Sequence, residues 1–251
     1  DKGADGAYTM TVSAADVLVA AGGPGTGITL TAKFVGNDSM ADGAGTATVN
    51  ITAVAKAERG GTAIGYYGES NLADAFANEG ATITLLDNIT TSTQIDVDTN
   101  NLTLDLNGKT YTHINNTPFK VSYGSLTIKG SGEVTTSGSY CLAVYYGTLN
   151  IKSGSFSGKD SAVYVVSGGT LQLTGGSFTG NQNAIAYESG EVTEALANYG
   201  GADAPHYAFY QGSSPYTPSG SSLPSGSYTV KPCTHIFGSS TTCPACGGEA
   251  V

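Results

Sequence analysis

Hydrophobic and polar residues alternate in short runs through the middle of the chain, and the runs are separated by glycine-containing turns. Four such runs are aligned by their leading leucines, which are separated by 24, 23 and 22 residues: Leu102, Leu126, Leu149 and Leu171. Alternation with a period of two is typical of a β-strand, because successive side chains point to opposite faces. A repeat of this length with no helical period indicates a solenoid of stacked strands.

Three rows of apolar residues recur through the repeats and are predicted to point into the solenoid. Besides the leucine row, they are the row Phe119, Leu142, Val163 and Ile185, and the row Val134, Phe156 and Phe178. Three inward rows correspond to the three faces of a parallel β-helix. We therefore predict an all-β fold in which residues 69–230 form a single-stranded β-helix of about six rungs.

The residues before the repeats predict two further units. Residues 1–57 contain a few period-two strands separated by Gly, Asp and Pro, which predict a small, partial immunoglobulin-like β segment. Residues 58–68 mix charged residues with glycine and are predicted to be a linker. In residues 69–80, Leu72 and Phe76 share one face, which predicts a short helix that caps the open N-terminal end of the β-helix.

Composition supports an ordered β protein and argues against two classes of partner. Glycine accounts for 36 of the 251 residues and charged residues for only 12%, so turns are frequent and charges are sparse. The formal net charge is −10 and Arg59 is the only arginine, which argues against nucleic acid because phosphate recognition requires clustered basic residues. No apolar run approaches the roughly 20 residues of a membrane-spanning helix.

Residues 72–180 resemble a known family. The opening LADAFANEGATITLLDNIT, the rung LTLDLNGKTYT and the coils GSFSG and GSFTG are similar to the pectate-lyase-like β-helix adhesin domains of Gram-positive surface proteins. The resemblance implies a right-handed β-helix, an extracellular or cell-surface location and a binding role that is often non-catalytic. Residues 45–54, GTATVNITAV, likewise resemble the last strand of a bacterial immunoglobulin-like domain.

Tyrosine is the leading candidate for a binding surface, since the chain has 15 tyrosines and no tryptophan. The register places Tyr145 and Tyr164 outward on adjacent rungs about 4.8 Å apart, where they would form a ladder, and Tyr123 and Tyr146 at turns. Such rings suit sugar or protein binding, although tyrosines that only shield the solenoid fit the same pattern. We predict a non-catalytic, adhesin-like module that binds glycan or host surface protein and requires no cofactor.

Two other functions stay open at this stage. Asp96 and Asp98 point outward, and Asp105 lies outward on the neighbouring strand, so the three could bind Ca²⁺ or serve a polysaccharide lyase or hydrolase. Solvated aspartates are the simpler interpretation, because charges normally occupy outward positions. The Asn-Thr-Asp, Gly-His-Gly and Arg-Ile-Lys motifs of β-helix hydrolases do not occur in the chain. The third function is a passive structural stalk.

Three other reactive residues carry no predicted chemistry. His113 follows a rung turn and His206 follows Pro205, so both are predicted to be surface loop residues. Cys141 is predicted to pack at a corner of the solenoid, because no base or cation accompanies it in the sequence.

The last residues, 231–251, form a separate Cys/His tail. The spacing C-x-H-x7-C-x2-C provides three thiolates and an imidazole for a structural tetrahedral zinc site: Cys233, His235, Cys243 and Cys246. In an exported protein, the same spacing fits a disulfide between two of these cysteines. It also fits a flexible joint that has neither zinc nor a disulfide. In each case the predicted role is structural, since no ligand position is left open for catalysis.

Overall fold

The computed structural model describes residues 28–34, 43–49, 53–190, 192–196, 206–233 and 243. Within these ranges the chain is nearly all β, and none of its helices is long and apolar enough to cross a membrane. The strands that precede the repeats or open the first coil are β1 (Ile28–Phe34), β2 (Gly43–Val49), β3 (Ala55–Arg59), β4 (Thr62–Tyr67) and β5 (Thr82–Leu85).

The repeats contribute thirteen more strands, which stack in parallel. In chain order they are β6 (Ile89–Thr91), β7 (Ile95–Val97), β8 (Leu102–Asp105), β9 (Thr110–His113), β10 (Phe119–Val121), β11 (Ser125–Lys129), β12 (Glu133–Thr136), β13 (Tyr140–Val144), β14 (Thr148–Ile151), β15 (Ser155–Gly158), β16 (Ser161–Val165), β17 (Thr170–Leu173) and β18 (Ser177–Tyr187).

These strands form a right-handed parallel β-helix with three faces, as predicted. The first face consists of β5, β8, β11, β14 and β17, and the second of β6, β9, β12, β15 and the first half of β18. The third face consists of β7, β10, β13, β16 and the second half of β18. The described residues therefore make five complete coils where about six were predicted. A sixth begins only as a parallel bridge between Leu173 and Leu196.

The three predicted inward rows are confirmed by the strand registers. On the third face, Phe119 pairs with Leu142, Leu142 with Val163 and Val163 with Ile185. The leucine row of the first face and the Val134, Phe156 and Phe178 row of the second face are aligned in the same way. All of these side chains are buried in one continuous core, because each strand directs every second residue inward.

The N-terminal end of the β-helix differs from the prediction. Residues 58–68 are not a linker, because β3 and β4 form an antiparallel hairpin and β3 pairs with β5 on the first face. The predicted capping helix is present but short: a 3₁₀ turn (Glu69–Asn71) leads into α1 (Leu72–Ala75). Leu72 and Phe76 join the core from this cap.

The predicted immunoglobulin-like segment lies mostly outside the described residues. Residues 28–34 and 43–49 of this segment form the antiparallel pair β1 and β2, a two-stranded sheet of its own. The predicted boundary at residue 57 is wrong, because residues 55–57 already belong to β3 of the first face. The C-terminal end of the solenoid is covered by three antiparallel strands, β19 (Tyr207–Gln211), β20 (Ser214–Tyr216) and β21 (Ser222–Pro232). β21 pairs with β18 along most of its length, so the antiparallel strands cover an edge of the last coil.

Candidate functional site

The outward side of the third face carries one aligned row of residues that differ in size and charge. Successive coils place Asp96, Lys120, Ala143, Tyr164 and Ala186 in register. Lys120 and Tyr164 are long and Ala143 between them is short, so the surface is depressed at Ala143. Neighbouring strands lie about 4.8 Å apart, so the strands of Lys120 and Tyr164 flank the depression at about twice that spacing.

This depression widens into a groove of about 480 Å³, which we call the Ala143 groove. The groove is lined beside Ala143 by Tyr140, at the start of β13, and by Tyr145, which directly follows β13. Lys120 lines it from the preceding coil. Asn115 and Asn116 contribute polar side chains from the turn before β10. The groove therefore combines two aromatic rings with amide and ammonium groups on a rigid sheet.

Contacts between coils hold the aromatic rings of the groove. The Tyr140 and Tyr164 rings are stacked, with centroids 4.5 Å apart and planes inclined by 9°. Lys120 Nζ lies 4.8 Å from the centroid of the Tyr145 ring, within the range of a cation–π interaction. Burial raises the pKa of Tyr164, and the carboxylate of Glu188 acts in the same direction. Its hydroxyl is therefore neutral and can donate a hydrogen bond at physiological pH.

This arrangement corrects one part of the tyrosine prediction. Tyr145 and Tyr164 lie on adjacent coils, but they do not form a register ladder, because Tyr164 pairs with Ala143 rather than with Tyr145. Tyr164 stacks instead on Tyr140, which the sequence argument did not include among the binding residues. The signal that could have identified Tyr140 is its position at the start of β13, where the strand departs from strict alternation.

Tyr123 and Tyr146 lie at consecutive turns between the third and first faces, as the sequence predicted. Their rings stack with centroids 5.6 Å apart and an interplanar angle of 12°. The residues are 71% and 61% exposed, so large parts of both rings are available to a ligand. Gly168 lies against the second ring: a Cβ atom at this position would be 2.9 Å from Cδ1 of Tyr146. A glycine here therefore leaves room for the stack.

A buried histidine positions the turn that supplies the amides of the Ala143 groove. His113 is fully buried at the end of β9, so its prediction as a surface loop residue was wrong. Its Nδ1 accepts a hydrogen bond from the backbone N–H of Asn116 at 3.0 Å. Burial lowers the pKa of His113, and a hydrogen bond with the backbone of Ser92 acts in the opposite direction. The net lowering favours the neutral imidazole, which the hydrogen bond from Asn116 requires. His206, by comparison, is partly exposed.

The structure separates Asp105 from the other two carboxylates considered for catalysis or calcium binding. Asp96 and Asp98 are exposed beside the third face, whereas Asp105 lies on the first face. Asp96 pairs with Lys120 at 3.4 Å and Asp105 pairs with Lys129 at 3.3 Å. Asp96 also accepts a hydrogen bond from Ser122 Oγ. In the described part of the chain, no three His, Cys, Asp or Glu side chains are grouped as metal ligands.

The cysteines have two different environments. Cys141 is buried in the core, its Sγ lies 3.2 Å from the Val134 carbonyl oxygen, and burial raises the pKa of its thiol. This agrees with the predicted packing role, because a thiol held in its neutral form is a poor nucleophile. Of the predicted zinc ligands, Cys233 and Cys243 belong to the described residues, whereas His235 and Cys246 lie outside them.

Comparisons with known proteins add no relative. No family model matches the chain, and no significant match is found among curated proteins or among solved structures. The case for a function therefore depends on the groove, the stacked tyrosines and the distribution of charge.

Proposed function

We propose that the β-helix is a non-catalytic binding module that holds a neutral glycan in the Ala143 groove, as part of an extracellular, adhesin-like surface protein. The observation that carries the proposal is the pairing of Tyr140 and Tyr145 beside a small alanine floor with amide side chains close by. Aromatic rings provide flat apolar area for sugar C–H groups, and amides and hydroxyls bind sugar hydroxyls. The extracellular location and the adhesin class extend the family resemblance.

Preorganisation is the physical reason for choosing this surface. Immobilising a side chain on binding costs about 0.5–1.5 kcal/mol, and part of that cost is met before binding when the side chain is already packed. Tyr140 is stacked on Tyr164, and Tyr145 is in contact with Lys120. Their backbones belong to or adjoin a hydrogen-bonded sheet, so the sheet fixes the positions of the two rings.

Charge favours a neutral ligand over a uronic or sulfated polysaccharide. The chain carries a formal charge of −10, and Lys120, whose ammonium group is the one that lines the groove among the described residues, is already paired with Asp96. Approach of an anionic polymer would therefore be opposed over distances of about 8 Å at physiological ionic strength. The stacked pair Tyr123 and Tyr146 provides a second aromatic surface near Tyr145, which a longer chain could reach.

The polysaccharide lyase or hydrolase stays the second candidate. It requires an acid and a base at one bond, about 5–10 Å apart in glycoside hydrolases. Asp96 and Asp105 lie on different faces and each is paired with a lysine, which favours binding over catalysis. The exposed pair Asp96 and Asp98 is the remaining carboxylate pair for this candidate.

The test is a glycan array of neutral and anionic polysaccharides probed with the purified chain. Tyr145→Ala is expected to weaken retention at least tenfold, equivalent to about 1.4 kcal/mol, because it removes one wall of the groove. Gln172→Ala is the matched control, since it alters an exposed side chain on the first face. Thermal unfolding of each variant checks that the fold is intact.

Each alternative has its own result in this experiment. Equal retention of Tyr145→Ala and the control would overturn the groove as the binding surface. Shortened oligosaccharides after incubation, detected by mass spectrometry, would establish the enzyme. If the chain is retained on a host glycoprotein and is still retained after that glycoprotein is deglycosylated, the partner is protein. No retention on any ligand would favour the passive structural stalk.

A further inference from the structure

The C-terminal tail is attached to the solenoid through two cysteines. Cys233 follows β21 directly, and its backbone N–H donates a hydrogen bond to the carbonyl oxygen of His206 at 2.8 Å. Cys243 is only 1% exposed and packs with Ala208 and Tyr210 of β19. The two sulfur atoms lie 3.6 Å apart although the two cysteines are ten positions apart in the chain. At Cys243 the chain is therefore again in contact with the antiparallel strands at the end of the β-helix.

The sulfur separation can be compared with the disulfide and the zinc site that the spacing alone left open. A disulfide has an S–S distance of about 2.05 Å, much shorter than the observed contact. Two thiolates bound to one tetrahedral zinc ion at about 2.3 Å each lie about 3.8 Å apart. The observed 3.6 Å is close to the zinc geometry, and the two side chains already share one small site.

We propose that Cys233 and Cys243 are two ligands of a structural zinc ion that fastens the tail to β19 and β21. The sequence supplies the other two ligands, because His235 is two residues beyond Cys233 and Cys246 is three residues beyond Cys243. C-x-x-C spacing is common in zinc sites, and four protein ligands close the coordination sphere, as in structural rather than catalytic sites. This inference is independent of the Ala143 groove.

Metal binding would stabilise the C-terminal end of the solenoid. Zinc would bind the assembled four-ligand site more tightly than the unfolded chain, so part of its binding free energy would add to the folding free energy of this region. The region concerned includes β19, whose buried residue Tyr210 belongs to one apolar cluster with Cys243 and lies 4.0 Å from the ammonium group of Lys231, measured to the ring centroid. Loss of the ion is expected to loosen β19 and β21 before it affects the parallel coils.

The first experiment measures zinc in the full chain, purified under reducing conditions and dialysed, by elemental mass spectrometry. We expect about one zinc ion per chain, reduced at least tenfold in Cys233→Ser and in Cys243→Ser. Cys141→Ala is the matched control, because Cys141 lies inside the coils, and its zinc content is expected to stay unchanged. His235→Ala and Cys246→Ser test the ligands assigned from the sequence and are expected to reduce zinc content as well.

A second measurement on the unaltered chain keeps the proposal testable if the variants do not fold. Replacing zinc with Co²⁺ should produce the thiolate charge-transfer and strong d–d absorption of four-coordinate cobalt. Hydrogen exchange after chelation should accelerate in β19 and β21 and stay unchanged in β11 and β14. Absence of bound metal under these conditions would overturn the proposal. A disulfide between Cys233 and Cys243 would also overturn it. Such a disulfide would make the native chain two hydrogens lighter than the reduced chain, and peptide mapping would locate it.

Discussion

Gly124 tests how closely the coils are stacked at their corners. A Cβ atom at this position would lie 2.0 Å from the carbonyl oxygen of Thr99 in the preceding coil, where an ordinary contact begins at 3.4 Å. In Gly124→Ala the two corners must therefore separate by about 1.4 Å. The same carbonyl accepts the hydrogen bond from Ser125 N–H at 3.0 Å, which cannot survive that displacement.

The magnitude follows from these two effects. Overpacking usually costs about 1–3 kcal/mol, and a broken buried hydrogen bond adds about 1 kcal/mol or more. We expect Gly124→Ala to lower the free energy of unfolding by about 2–4 kcal/mol, measured by urea denaturation followed by circular dichroism.

Gly108→Ala is the control for this measurement. Gly108 has a φ of +73° but its added Cβ would meet only Ser131 Oγ at 3.8 Å. Its expected cost is about 1 kcal/mol, due to backbone conformation alone. A loss in Gly124→Ala no larger than that of Gly108→Ala would refute the reasoning from coil contact.

Two further predictions concern the core and a buried histidine. Phe156→Ala is expected to lower the free energy of unfolding by about 3–5 kcal/mol, because Phe156 is buried and stacks on Phe178 at 5.6 Å. The exposed neighbour Thr179→Ala should cost under about 0.5 kcal/mol, and similar losses in both variants would contradict the predicted core row. Burial lowers the pKa of His113 in the folded state. The contribution of the neutral imidazole to the free energy of unfolding is therefore complete above the unfolded-state pKa of about 6.5, and it is lost as pH falls through the folded-state pKa. The wild-type chain should therefore lose more stability than His113→Gln between about pH 7.5 and pH 5, and equal losses in urea titrations at the two pH values would exclude a buried neutral histidine.

The sequence was sufficient for the parallel coils because the information is local and repeated. Each inward row recurs at nearly constant spacing, so an error at one coil is corrected by its neighbours, as in the leucine row from Leu102 to Leu171. The N-terminal hairpin could not be found in this way. β3 and β4 occur once, β3 contains three charged residues, and the hairpin joins the first face only through the antiparallel pairing of β3 with β5.

The tyrosine surface depended on small differences in turn length. Three residues separate Val144 from Thr148, whereas four separate the equivalent Val165 from Thr170, although both pairs are in register. The extra residue lets Gly168 lie against the ring of Tyr146. Sequence alignment on turn glycines could place Tyr123 and Tyr146 together, but it could not show that Tyr164 stacks on Tyr140.

By itself the sequence determined the architecture: three inward rows and a capped parallel β-helix. Only the tertiary structure decided which outward side chains meet. It brought Tyr140 and Tyr145 into one groove, buried His113 beneath the turn of Asn116, and placed the sulfur atoms of Cys233 and Cys243 in contact. The physical reason is that burial selects inward residues by hydrophobicity, which a sequence displays directly. Contacts between outward residues depend instead on backbone register and turn geometry, which hydrophobicity does not specify.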